Sequence, residues 1–128
     1  MVSNWLIKDR LKLTYCLITN PGSNRVPSIL QIVSVPILSK HYCNQLFERM
    51  GHKNVVKTGK LCAGVIDGGR DACAGDSGGP LAVKSSEDNK WVLAGIISNG
   101  IKCGQPYTPG VYTQVSAFVD WINAVINS

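Results

Sequence analysis

Long apolar runs are missing from this sequence. No stretch reaches the roughly 18 residues needed to cross a bilayer, so a membrane-spanning helix is excluded and no membrane partner is expected. There is no internal repeat, heptad pattern or low-complexity tract, which removes solenoids, coiled coils and collagen-like chains. Histidine is scarce, with two residues (His41 and His52), and no C-x-x-C pair exists, so a Cys/His metal site is not expected. Charge is sparse as well, at 16% of residues. The net charge of +5 comes from 13 basic and 8 acidic residues, and the basic ones are scattered; only Lys53, Lys57 and Lys60 approach one another. Sequence-independent nucleic-acid binding needs a stripe of phosphate contacts, so no nucleic-acid partner is expected.

What is present suits one domain. The chain has 128 residues, 45% of them apolar, enough for a core. Thirteen Gly and six Pro imply many turns and short elements, as in a strand-rich fold. Residues 29–38 are rich in β-branched side chains and read as a strand, with Pro36 near its end. Ser39 can cap a short helix whose Cys43, Leu46, Phe47 and Met50 share one face, and Gly51 can end it. Residues 61–66 read as a short strand, and residues 68–80, with five glycines, as a structured loop. Residues 81–83 and 91–98 form a hairpin pattern, and 111–115 another strand. Residues 116–127 form an amphipathic helix with the stripe Phe118, Trp121, Ile122, Val125 and Ile126.

Five dispersed cysteines (Cys16, Cys43, Cys62, Cys73 and Cys103) in a small Gly-rich chain point to disulfides made in an oxidising compartment, with one left over. Residues 1–16 conflict with secretion. Lys8, Asp9, Arg10 and Lys12 interrupt any apolar stretch of the 7–15 or so residues a signal peptide needs. Either the chain is cytosolic or its true beginning is missing.

The segment Asp71-Ala72-Cys73-Ala74-Gly75-Asp76-Ser77-Gly78-Gly79-Pro80 carries chemistry. A serine with glycine two residues before and two after can project its hydroxyl from a tight turn. Gly75 and Gly78 let backbone N–H groups converge without interference from a Cβ. Amides converging beside a hydroxyl nucleophile are what acyl transfer requires for its oxyanion. The blander reading is a Gly-rich turn with an incidental serine. G-x-S-x-G also occurs at the α/β-hydrolase elbow, but that elbow leads into a helix and its histidine follows the serine. Here Gly79-Pro80 leads into a strand pattern, and no histidine follows Ser77.

The full string, G-D-S-G-G-P after D-A-C, resembles the trypsin/chymotrypsin-like serine endopeptidases. The resemblance runs from about Cys16 to Ser128 and includes Leu61-Cys62-Ala63-Gly64, Pro109-Gly110-Val111-Tyr112-Thr113 and Trp121-Ile122. It implies an all-β fold: the second six-stranded Greek-key barrel of a two-barrel chymotrypsin-like protein, with a short intermediate helix and a C-terminal helix. Residues 16–128 would form that barrel, and residues 1–15 remain unplaced. By resemblance Ser77 is the nucleophile, and the N–H groups of Gly75 and Ser77 make the oxyanion hole. Asp76 would accept the amine exposed on zymogen activation. Asp71 would be the floor of the primary specificity pocket, selecting Lys or Arg by a charge-assisted contact. Ser98, Gly100 and Gly110 would line the substrate site. The implied disulfides are Cys43–Cys62 and Cys73–Cys103. Cys16 matches a cysteine whose usual partner position is Val83 here, so it should be unpaired or bound outside this chain. No metal and no cofactor are implied. The expected partners are a Lys/Arg-containing peptide or protein substrate and a missing N-terminal barrel, and the expected location is secreted or extracellular.

The departures are as informative. No segment resembles the A-A-H-C region that holds the family's catalytic histidine, and no residue matches its triad aspartate. His41 and His52 fall where the family has surface and loop positions. The Asn99 position, usually Trp, lacks an apolar wall. An alcohol without a base is a weak nucleophile, so these residues alone are expected to be inactive as a peptidase. The length fits half of a two-barrel protein and suggests a fragment. The competing expectation is a non-catalytic, protease-like binding module.

Overall fold

The computed structural model describes residues 14–15, 32–69, 76–100 and 104–128. Of the expectations above, Asp71, Gly75, Cys16 and the Cys73–Cys103 pair lie outside these residues.

The strands are β1 (Thr14–Tyr15), β2 (Ile32–Val33), β3 (Ile37–Leu38), β4 (Lys60–Ala63), β5 (Pro80–Lys84), β6 (Trp91–Asn99) and β7 (Gly110–Gln114). The helix α1 (Lys40–Arg49) follows β3, and a 3-10 turn (Val115–Phe118) leads into α2 (Val119–Ile126). All pairings are antiparallel, in the order β2-β1-β5-β6-β7-β4-β3. The two ends of that order are adjacent in sequence, since β2 and β3 are separated only by Ser34, Val35 and Pro36. One chain segment therefore pairs with β1 through its first half and with β4 through its second. The sheet closes on itself as six segments around a ring, a chymotrypsin-like barrel. The strand expected over 29–38 is thus, within the described residues, two short ladders that change partner before Pro36, which has no N–H to donate.

Two apolar clusters follow from alternation along the strands. Val33, Val35, Leu61, Ala63, Leu81, Ile97 and Tyr112 are buried together inside the ring. Leu61, Tyr112 and Ile97 lie opposite one another across β4, β7 and β6. Gly95 leaves room there, because a Cβ on it would meet Leu81 and Tyr112 side-chain atoms at 3.2 Å. The neighbouring residues Cys62 and Val111 face outward and are covered by α1, joining Cys43, Phe47 and Val56 in the second cluster.

Helix α1 is bounded by local chemistry. The Ser39 hydroxyl accepts from the Tyr42 N–H at 3.2 Å. At the other end Gly51 takes φ +85°, its N–H donates to Glu48 O, and the His52 N–H donates to Phe47 O. This is the Schellman arrangement, which a left-handed glycine closes without a Cβ clash. Cys43 is bonded to Cys62, which ties α1 to β4 and agrees with the expected pairing. Helix α2 differs from its amphipathic expectation in one respect: none of its residues is buried, and Trp121 and Ile126 are 65% and 69% exposed.

Candidate functional site

Ser77 sits on a turn whose geometry follows from its glycines. The Gly79 N–H donates to Asp76 O at 2.9 Å, closing a four-residue turn with Ser77 and Gly78 at its centre. Gly78 has φ +86°, the left-handed value a type II turn requires at its third residue. Gly79 is needed for a different reason. A Cβ there would lie 2.9 Å from Asp76 O and 3.3 Å from Ile97 Cδ1. The turn is stitched to β6 at one residue: Gly78 N–H donates to Ile97 O, and Ile97 N–H donates to Gly79 O, both at 2.9 Å. Asp76 is buried at the base of the turn, and Ser77 is exposed on its corner.

The end of β6 carries the other expected residues. Pairing with β5 begins at Pro80 opposite Ile96, and the bonds to Ile97 extend it by one residue. Beyond Ile97, no backbone bond on that side is recorded for residues 98–100 among the described residues. On the other side Asn99 lies opposite Val111, with a register shift at Ser98. A Cβ on Gly100 would stand 4.0 Å from Gly110 Cα, so these two glycines face each other with no side chain between. Asp76, Ser77, Ser98, Gly100 and Gly110 therefore gather at one end of β6.

One side chain joins this group without any signal in the sequence. Lys60 Nζ donates to Ser98 Oγ at 3.0 Å. Lys60, Thr113 and Ile96 lie opposite one another on the outer face, so the lysine stem reaches from β4 across β7 to β6. Its neighbours Lys53 and Lys57 suggested a loose basic cluster; the contact to residue 98 arises only from strand order.

Both histidines are elsewhere. His41 is exposed on α1, and exposed His52 follows it. Helix α1 covers β4, three places from β5 in a ring of six, on the opposite wall. Among the described residues no hydrogen bond links either histidine to Ser77, and no cluster of three His, Cys, Asp or Glu residues could hold a metal. No helix among them is long and apolar enough to cross a membrane.

The family model described as Trypsin matches residues 8–122. The chain belongs to the trypsin family. The trypsin-family match includes Thr14 and Tyr15, which lie in the sheet. Serine proteinase stubble of Drosophila melanogaster is 50% identical over 97 residues, covering 76% of this chain and 12% of that protein. Serine protease filzig of the same organism is 44% identical over 100 residues, 78% of this chain and 6% of that protein. Transmembrane protease serine 11G of Mus musculus is 46% identical over 98 residues, 77% of this chain and 22% of that protein. The chain thus matches less than a quarter of the length of each of these trypsin-family relatives.

Proposed function

We propose that this chain is the C-terminal barrel of a secreted serine endopeptidase that cleaves after Lys or Arg. Ser77 is the nucleophile, the N–H groups of Gly75 and Ser77 hold the oxyanion, and Asp71 receives the basic side chain. Ser98, Gly100 and Gly110 line the path of the substrate, and Asp76 accepts the activating amine. The barrel takes in Thr14 and Tyr15 of β1 as well as residues 16–128, so it begins before the expected boundary at residue 16. The observation that carries this reading is the Asp76–Gly79 turn, which exposes Ser77 and is bonded to β6 at Ile97. Among the described residues no strand pairs with β6 beyond Ile97 on the β5 side, which supports it further, since an extended peptide can add there as a strand. Trypsin-family membership and the Cys43–Cys62 bond support an extracellular compartment.

The proposal assigns no general base within these 128 residues, because His41 and His52 lie across the barrel from Ser77. An N-terminal barrel supplies the histidine and its aspartate, and the chain alone does not turn over peptide bonds. The remote histidines also favour a second reading, a protease-like module that binds without cleaving.

The test joins this chain to a trypsin-family N-terminal barrel and measures fluorophosphonate labelling and hydrolysis of arginine anilides. The first reading expects both, labelling lost in Ser77→Ala, and the preference for arginine lost in Asp71→Asn. No labelling of a folded, joined protein overturns it in favour of the binding module.

A further inference from the structure

We propose that Lys60 is a specificity-determining residue that selects an acidic side chain in the peptide occupying the β6 edge. The inference rests on the peptide-binding reading above and adds a second recognition point to it. Its basis is the Lys60 Nζ–Ser98 Oγ bond of 3.0 Å. Ser98 is the residue after Ile97, which anchors the Ser77 turn. The ammonium is therefore held one residue along β6 from that anchor, at the start of the stretch that no described strand pairs on the β5 side.

The chemistry of the pair calls for an anion. An ammonium has three donors, and the Ser98 hydroxyl occupies one. Among the described residues no carboxylate lies within 4.0 Å of Lys60; the one ion pair recorded there is Lys90–Asp88, at the β5–β6 turn. Lys60 is half-buried, with its stem lying over β7, so the ammonium is less hydrated than that of an exposed lysine. Holding the head group on Ser98 in advance reduces the side-chain entropy lost when a carboxylate arrives. A Glu or Asp side chain reaching this point gains a charge-assisted bond from Lys60, and a Gln or Asn gains a weaker one. A neutral hydroxyl partner leaves the cation available in a way that a resident carboxylate would not.

Binding, rather than turnover, tests this on the 128-residue chain. Labelled peptides contain one arginine and a single Glu at each of the four positions before it, each paired with its Gln counterpart. Fluorescence anisotropy reads affinity at low and high salt. One Glu position is expected to bind about fivefold tighter than its Gln partner, with the difference shrinking as salt rises. Lys60→Gln should abolish that difference, lowering affinity for the favoured Glu peptide far more than for its Gln partner, and Lys60→Arg should retain it. Equal binding of every Glu/Gln pair, or a preference that survives in Lys60→Gln, overturns the role of Lys60 and leaves arginine-dependent binding standing. Absence of binding to any arginine peptide overturns both this inference and the reading beneath it.

Discussion

The Gly78 N–H donates to Ile97 O at 2.9 Å, and the residue that makes this bond is the one whose φ is +86°. Presentation of Ser77 thus depends on a backbone conformation that L-residues avoid. Among the described residues, chain neighbours aside, no atom stands within 4 Å of a Cβ built at Gly78, so the penalty for alanine argued here is conformational. Gly78→Ala should cost about 1–2 kcal/mol of stability, seen as a lower denaturant midpoint. Loss of labelling at Ser77 in the joined protein should exceed what that destabilisation explains, because the turn itself is displaced.

The side chain of Asn44 serves the backbone of a distant loop. Its Nδ2 donates to Val56 O at 3.1 Å and its Oδ1 accepts from the Val56 N–H at 2.9 Å. Val56 is buried in the cluster beneath α1, and both bonds are partly buried. Asn44→Ala should cost about 1–3 kcal/mol. Hydrogen exchange should show the Val56 amide losing protection before the strand amides do.

Phe47 is fully buried between α1 and β4, packed with the Cys43–Cys62 bridge. Phe47→Ala should cost about 3–5 kcal/mol. Removing the bridge with Cys43→Ser and Cys62→Ser together should cost about 3 kcal/mol, as expected for loss of a cross-link of this separation. The two effects should not add, because both loosen the same contact between helix and strand. Denaturant unfolding of the two variants and their combination measures this.

The exposed ridge of Phe118, Trp121, Val125 and Ile126 predicts association of the isolated chain. Sedimentation should show oligomers that dissociate in Trp121→Glu, with helix content unchanged by circular dichroism. A monodisperse wild-type monomer with cooperative unfolding contradicts the prediction.

How much was legible in advance tracks how local each feature is. The bounds of α1 could be read from Ser39 and Gly51, because capping involves bonds within three to five residues of chain. The Ser77 turn could be read for the same reason: glycine at position 78 permits a conformation that few other residues permit. The pairing of Cys43 with Cys62 came through family resemblance, since five cysteines alone leave the partners open. The stripe on residues 116–127 was visible as a pattern, yet its exposure was not, because burial depends on what faces a helix and not on its own periodicity.

Residue order alone therefore determined the local devices: helix caps, the glycine turn and the alternation that sorts inward from outward side chains. The tertiary structure decided what those devices meet. Closure of the ring through one segment that changes partner at Val35 and Pro36 set β4 opposite β5, which put both histidines across the barrel from Ser77. The same strand order carried Lys60 over β7 to Ser98. Contacts of that kind form between chain segments far apart in sequence, and their register is set by packing the whole ring at once.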